Sequence, residues 1–196
     1  MQDDLFGGGG AVAPADDVAD DVAVGELDSP VGRLGVAVTG AGLASLTWGD
    51  ETRMAAWLAA RGGPPIVDDA ARLAPVRDRL GEYFAGKRRV FDIPVDWRFL
   101  SGTRRTVLET LYRTVGYGRS VTYGELAARS GTGVPARGIG AVMGANPIPI
   151  VVPCHRVLAS DGLGGYSGGT GGDGLAVKRW LLTLEGVLPP TLDWAL

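Results

Sequence analysis

One cysteine and one histidine, adjacent as Cys154-His155, are all that 196 residues contain of either type. No intramolecular disulfide and no cysteine-rich zinc site can staple such a chain, so a packed apolar core must hold it. At this length a full domain and a smaller one can each bury a core. A chain without disulfides fits a reducing compartment, and the expected location is cytoplasmic. No apolar run approaches the roughly 20 residues that a membrane span requires. The N-terminus lacks the basic-then-apolar pattern of a signal peptide, and no membrane partner is expected.

The net charge of −3 is unevenly placed. Of the 22 acidic residues, eight lie in 1–28, where there is no Lys or Arg; that leaves 14 against all 19 basic residues, a net of +5 for 29–196. A basic body behind an acidic leader is compatible with nucleic acid but does not by itself specify it. Residues 1–21, with four consecutive glycines (Gly7 to Gly10) and paired aspartates, cannot bury apolar surface and are expected to form a disordered acidic leader.

The fold class expected is α/β (α+β), in two parts. Residues 22–97 form a small N-terminal α/β domain with an antiparallel sheet, and 98–196 form a mostly helical C-terminal domain. In the first part, Val22-Ala23-Val24, Leu34 to Val38 and Leu43 to Trp48 are short apolar runs separated by the turns Ser29-Pro30-Val31-Gly32 and Thr39-Gly40-Ala41-Gly42, the pattern of a hairpin meander. Helical spacing follows over 51–61 (Met54, Trp57, Leu58) and 70–85 (Leu73, Val76, Leu80, Tyr83, Phe84). Residues 88–95 read as a further strand that Pro94 closes or places at an edge. No chemistry-bearing constellation stands out in 22–95, which reads as support for the rest.

In the second part, 103–115 is an amphipathic helix with Val107, Leu108, Leu111 and Val115 inward, ended by Gly116-Tyr117-Gly118. Thr122 with Glu125 three residues on is a capping box. Gly131-Thr132-Gly133 is a turn, and Pro135-Ala136-Arg137 opens a second helix to about Ala145, so the pair reads as a helix-turn-helix. That second helix holds Gly138, Gly140 and Gly144, each costing roughly 0.5–1 kcal/mol of helix stability against alanine. Something must approach its backbone closely: another helix, or the wall of a DNA groove. Arg104, Arg105, Arg113, Arg119, Arg129 and Arg137 stand against only Glu109 and Glu125 in 101–137, either as phosphate contacts or as a solvated face.

Cys154-His155 sits between Pro153 and Arg156, preceded by Asn146-Pro147-Ile148-Pro149. Thiolate is the reactive form of cysteine, and an adjoining imidazole promotes it. Consecutive side chains on a strand diverge, so convergence requires a strand end or turn, which the prolines favour. The bland alternative is a small buried hydrophobe beside a satisfied histidine. The glycine-rich stretch 160–174 lies over a site or is disordered, and it is not a phosphate loop because no Gly-Lys-Ser/Thr end follows. Leu175 to Leu184 is a helix with Leu175, Val177, Leu181, Leu182 and Leu184 on its apolar face. Glu185 beyond it is either a helix-terminal carboxylate or the group that orients His155.

Together, Tyr123-Gly124-Glu125-Leu126-Ala127, Pro135-Ala136-Arg137, Asn146-Pro147 through Pro153-Cys154-His155-Arg156-Val157, Tyr166-Ser167-Gly168-Gly169, Leu175-Ala176-Val177-Lys178 and Glu185-Gly186 resemble the 6-O-alkylguanine-DNA alkyltransferases, the methylated-DNA–protein-cysteine methyltransferases. The resemblance is strong over about 101–188 and looser over 22–100, where Ser29-Pro30-Val31-Gly32 and Tyr83-Phe84-Ala85-Gly86-Lys87 carry it.

The resemblance implies single-turnover repair of double-stranded DNA, with transfer of an alkyl group from oxygen 6 of guanine, and of oxygen 4 of thymine, to Cys154. It implies that His155 takes the thiol proton through a water, that Glu185 fixes His155, and that Asn146 orders the turn. Tyr123 would donate a proton to the guanine ring. Arg137 would fill the space left by a base flipped out through the minor groove, on a helix whose Ala136 and Gly138 face the DNA. The backbone about Cys154 and Val157 would receive the guanine amino group, with Tyr166 and Ser167 lining the alkyl pocket. It implies no cofactor and a monomer, with cooperation on DNA left open.

Three departures bear on this. Thr170 to Gly174 is an insertion of five residues on the loop that bounds the alkyl pocket, which leaves the alkyl-size preference open. Thr103-Arg104-Arg105-Thr106 replaces the aromatic and glutamine residues common at the start of that helix. The cysteines that hold a structural zinc in some relatives are missing, so no metal is expected. Two other classes compete: a cysteine hydrolase with a Cys154–His155–Glu185 triad, which would turn over repeatedly, and a binding module for alkylated bases, whose relatives lack the cysteine.

Overall fold

The computed structural model of the chain describes residues 21–49, 51–59 and 64–190. The expected leader lies outside these apart from Asp21, whose carboxylate accepts from Arg72 at 2.7 Å. Residues 60 and 61 of the expected helix 51–61, the side chain of Trp57 and residues 191–196 also lie outside them.

Strands β1 (Val22–Leu27), β2 (Leu34–Thr39) and β3 (Gly42–Trp48) form the expected antiparallel meander. Their apolar runs are continuous rather than alternating because both faces are covered: β2 is buried along its whole length. Helix α1 (Glu51–Ala59) packs Met54 and Leu58 against Val22 and Ala37 on one face. Helix α2 (Ala70–Phe84) packs Leu73, Val76 and Leu80 against Ala23, Val36 and Val38 on the other. A two-residue strand, β4 (Ile66–Val67), adds to the β1 edge in parallel, giving the order β3-β2-β1-β4. Nothing in so short a run distinguishes it from loop in the sequence.

The strand expected over 88–95 does not form. Only Val95 bridges to Leu43, and Arg88 is tied instead by ion pairs to Glu82 (2.6 Å) and Asp92 (2.8 Å), with Val90 71% exposed. Pro94 has no N–H to extend a ladder. It contributes its carbonyl, which accepts from Leu43 N at 2.8 Å, while Asp96 N donates to Leu43 O at 2.9 Å. Further along the same edge, Leu46 N and Ser45 Oγ both donate to the carbonyl of Pro147, at 2.8 and 3.0 Å. The free edge of β3 is thus covered, and the chain segment leading to Cys154 is pinned to it.

A 3₁₀ turn (Trp97–Phe99) leads into α3 (Gly102–Thr114), which buries Val107, Leu108 and Leu111. Strand β5 (Val121–Thr122) runs straight into α4 (Tyr123–Ser130) through the expected capping box: Thr122 Oγ1 accepts from Glu125 N, and Glu125 Oε2 accepts from Thr122 N at 2.7 Å. Gly131, at φ 62°, ends α4 in the left-handed conformation. Helix α5 (Ala136–Gly144) completes the helix-turn-helix. Strand β6 (Val157–Leu158) pairs in parallel with β5.

Helix α6 (Gly174–Leu184) departs from its expected apolar face. Leu175 is 54% exposed, and the buried stripe is Val177, Lys178, Leu181 and Leu182. The stripe keeps helical spacing, but a lysine holds one of its places because its amine finds two carbonyls below. Among the described residues the buried core runs unbroken from the sheet through Leu108, Leu111 and Val121 to Val177 and Leu181.

Candidate active site

The segment before Cys154 is held by Asn146. Its Nδ2 donates to Val152 O at 2.8 Å and its Oδ1 accepts from Ile148 N at 3.0 Å, so one amide closes the loop from both ends. Within it, Ile150 sits at φ 73°, the one non-glycine residue with positive φ among those described. For a β-branched residue that costs on the order of 1–3 kcal/mol. Burial of Ile150 and the Asn146 clamp hold it there.

Cys154–Arg156 then form a single 3₁₀ turn. Such a turn spaces successive side chains by about a third of a rotation, so Cys154 and His155 separate rather than meet. His155 and Arg156 both turn to Glu185, just beyond α6. His155 Nε2 lies 2.9 Å from Glu185 Oε1, Arg156 Nε donates to Oε2 at 2.8 Å, and Arg156 Nη2 donates to Oε1 at 2.9 Å. The third arginine donor, Nη1, reaches Val115 O at 2.7 Å.

Burial would raise the carboxyl of Glu185, but the hydrogen bonds and charges of His155 and Arg156 prevail and hold its pKa at about 2. Burial depresses His155 despite the carboxylate, with Arg156 and Lys178 adding to the depression. The imidazole is therefore neutral at pH 7. Facing an ionised carboxylate, Nε2 carries the proton, and Nδ1 is left as the basic nitrogen. Nδ1 is buried and has no hydrogen-bond partner.

No hydrogen bond joins the sulfur of Cys154 to this imidazole. Burial pushes the thiol pKa up, against the opposing effects of the Asn146 amide, the Lys178 charge, a backbone donor and Tyr166. The Tyr166 hydroxyl makes no hydrogen bond by distance and angle, yet it lies near enough for its dipole to favour thiolate. Cys154 thus rests as a thiol, and a base must act before it can attack.

Cys154 opens onto a cavity of about 390 Å³ whose wall includes Tyr123, Arg137, Met143, Gly144, Tyr166 and Ser167. Tyr123, at the start of α4, directs its hydroxyl to Gly165 O at 3.4 Å, and burial raises its pKa so that it remains a donor. Arg137 is exposed and forms no ion pair among the described residues. Ala136 is exposed beside it. A methyl added at Gly140 or Gly144 would meet nothing within 4 Å, whereas one at Gly138 would strike Val134. Close packing on the turn before α5 therefore accounts for Gly138 alone; Gly140 and Gly144 leave a bare backbone facing the cavity.

Val157 is buried, and its carbonyl accepts from Lys178 Nζ at 2.7 Å. The same amine holds Gly165 O at 3.1 Å and so ties the glycine-rich loop to α6; burial lowers its pKa to about 8. Ser167 is exposed, with Oγ 3.5 Å from Gly144 O.

Residues 22–95 reach the site after all. Trp48 of β3 stands edge-on to Tyr166 at 6.0 Å and leaves room for Gly168 only without a side chain. Tyr83 of α2 donates to Glu185 Oε1 at 2.7 Å. Sequence reasoning missed both, along with the roles of Arg156 and Lys178. For Lys178 a signal existed, a lone cation on an otherwise apolar helical stripe; for Tyr83, 102 residues from its partner, none did.

Two family models match, together spanning most of the chain. The one described as 6-O-methylguanine DNA methyltransferase, ribonuclease-like domain, covers residues 23–97, and the one described as 6-O-methylguanine DNA methyltransferase, DNA binding domain, covers 103–187. A methylated-DNA–protein-cysteine methyltransferase of Mycolicibacterium paratuberculosis is 39% identical over 160 residues, 81% of this chain and 89% of that one. The crystal structure of the Mycobacterium tuberculosis O6-methylguanine methyltransferase superposes with a TM-score of 0.67 at 34% identity, over 87% of this chain and 97% of that one. The same organism's protein in complex with DNA gives 0.66 at 34% identity, over 84% and 92%.

Proposed function

The chain belongs to the 6-O-methylguanine DNA methyltransferase family, and from that premise we propose that it repairs double-stranded DNA by moving alkyl groups from oxygen 6 of guanine to its own Cys154, once per molecule. The observation that carries this reading is the position of the sulfur. Cys154 lies at the wall of a cavity edged by the bare backbone of α5 and by the exposed Arg137, and its neighbour His155 belongs to a buried proton-accepting assembly.

Oxygen 6 cannot be attacked in line inside the base stack, so the guanine must be turned out into the cavity. Arg137, which forms no ion pair among the described residues, would take up the space left in the duplex. Residues 22–97 act as the support and 98–196 carry DNA binding and transfer. With the base seated, His155 Nδ1 draws the thiol proton through a bridging water, and Glu185 stabilises the imidazolium that results. The sulfur bonds to the alkyl carbon as the carbon–oxygen bond breaks. The electron pair passes into the guanine ring, which Tyr123 protonates. The guanine amino group is received by the backbone about Cys154 and Val157. Thymine alkylated on oxygen 4 presents an ether of the same kind, and displacement at its alkyl carbon expels the thymine ring, which takes up the electron pair and a proton in the same way. The product is a thioether, and with no second cysteine in the chain to relieve it, the protein is consumed.

Arg137→Ala tests the flipping step. Extruding a paired base costs a few kcal/mol, so transfer from methylated duplex should slow by roughly 10- to 100-fold. Transfer from the free base O6-benzylguanine, which needs no extrusion, should stay near the wild-type rate. Equal losses on both substrates would remove Arg137 from this role.

A further inference from the structure

We propose that Tyr83 is a positioning residue of the proton relay: its hydroxyl, delivered by α2 of the N-terminal part, holds the Glu185 carboxylate and keeps the imidazole attached to it weakly basic. The inference rests on the reading of His155 as the base that takes the thiol proton, and it extends that machinery to a part of the chain with no nucleophile or base of its own in the site.

Glu185 Oε1 accepts from three donors at once: Tyr83 Oη at 2.7 Å, His155 Nε2 at 2.9 Å and Arg156 Nη2 at 2.9 Å. Tyr83 makes the shortest of the three. Donors sharing one oxygen compete for its negative charge, so each hydrogen bond from Tyr83 or Arg156 weakens the pull of Glu185 on the imidazole proton. The hydroxyl has no other role in view. Tyr83 is fully buried, and its ring is seated against Phe91 (5.0 Å), Phe84 (5.4 Å) and Tyr117 (6.2 Å). A phenylalanine would keep that seating.

Burial, reinforced by Glu185, keeps the Tyr83 phenol protonated far into the alkaline range, so it is a donor whenever the protein is folded. Among the described residues, the charged and titratable groups that bear on His155 and its carboxylate are Glu185 and Lys178 from the α6 region, Arg156 from its own turn and Tyr83 from α2, with Cys154 next to it in the chain and Tyr166, whose phenol burial keeps protonated, beside Cys154. Tyr117, packed on Tyr83, spends its hydroxyl on Leu184 O at 2.8 Å and carries Arg89 over its ring. Glu185 titrates near 2 and Lys178 near 8, so neither alters the charge around the imidazole between those limits.

A base that is too strong stays protonated at neutral pH and cannot accept the thiol proton; one left neutral by Tyr83 and Arg156 can. The hydroxyl of α2 thereby sets the lower pH limit of the reaction.

His155 is the sole histidine of the chain, so its imidazole signals in a nuclear magnetic resonance titration of the full-length protein need no assignment. In Tyr83→Phe the titration midpoint of His155 should move upward. The acid limb of the alkyl-transfer rate should follow, so that well below the wild-type midpoint the variant transfers roughly three- to tenfold more slowly than the wild type, a deficit that closes as the pH rises towards 7. In a Glu185→Gln background the same substitution should produce no further movement, because its path to the imidazole is gone. An unmoved midpoint in a folded Tyr83→Phe protein would overturn the proposal, as would a uniform loss of rate at every pH. If the wild-type protein transferred no alkyl group, the reading of the reaction would fall, and the titration would still decide whether Tyr83 acts on His155.

Discussion

Cys154→Ser should leave the fold and the affinity for DNA close to wild type while lowering alkyl transfer by roughly 10⁴-fold or more. The exchange removes one soft atom from a nearly closed site, so the structural cost is about 1 kcal/mol, the ordinary size for a conservative buried change. The chemical cost is far larger. His155 is depressed by burial and is a modest base. It can take a proton from a thiol whose own pKa burial has raised, but not from an alcohol, which is a much weaker acid. Displacement at carbon also favours a polarizable nucleophile, which serine is not. Two measurements check this: transfer of a radiolabelled methyl group from a duplex oligonucleotide to the protein, and binding of the same duplex. Retention of transfer by the serine variant would show that another residue accepts the alkyl group.

Glu185→Ala should cost both stability and chemistry. The carboxylate answers Arg156 through two hydrogen bonds and Tyr83 and His155 through one each, all away from water. Deleting it strands the Arg156 guanidinium as a buried charge with only Val115 O as partner, and losses of about 3–5 kcal/mol follow from breaking such a pair. Urea denaturation should register that loss. Glu185→Gln, which keeps the shape and one acceptor, should unfold less readily than the alanine variant yet still transfer poorly, because the imidazolium loses its counter-charge.

Acid should trace the same carboxylate. Its folded pKa of about 2 lies below the ordinary 4.5, so the unfolded chain binds the proton more readily than the folded one. The stability it confers is complete above pH 4.5 and is lost as pH falls from there towards 2, in all about 3 kcal/mol. His155, also depressed, begins its own loss earlier, as pH falls below the ordinary histidine value of 6.5. In Glu185→Gln the lower of these two stages should shrink to what Asp96 contributes, whose carboxyl, against burial, the hydrogen bonds of Arg98 and Thr39 also hold below its usual value. A wild-type slope persisting below pH 4.5 in that variant would mean other carboxylates are responsible.

What could be read from the chain was what local chemistry decides. The meander of β1 to β3, the capping box of Thr122 and Glu125, and the glycine-thinned α5 each rest on residues a few positions apart. Residues 88–95 misled because an alternating pattern resembles a strand, while the edge it would join takes only the carbonyl of Pro94 and the amide of Asp96. Leu175 misled because apolar character suggested burial, whereas Lys178 earned its buried place from two carbonyls set by the loop and by β6. The adjacency of Cys154 and His155 suggested direct contact; the 3₁₀ turn gives them separate tasks. The partners of Glu185 illustrate the limit best. His155 and Arg156 sit beside the nucleophile and could be suspected, but Tyr83 arrives from across the core and only the folded chain brings it there.

An alkyl group accepted once and kept leaves a permanent mark on the protein. Incubation of the full-length protein with an excess of duplex carrying O6-methylguanine, followed by intact-mass and peptide mass spectrometry, should find a single added methylene per molecule, located on Cys154, with demethylated guanine formed in an amount equal to the protein and no more. Product accumulating beyond one equivalent over an unmodified Cys154, as a cysteine hydrolase would give, would contradict it.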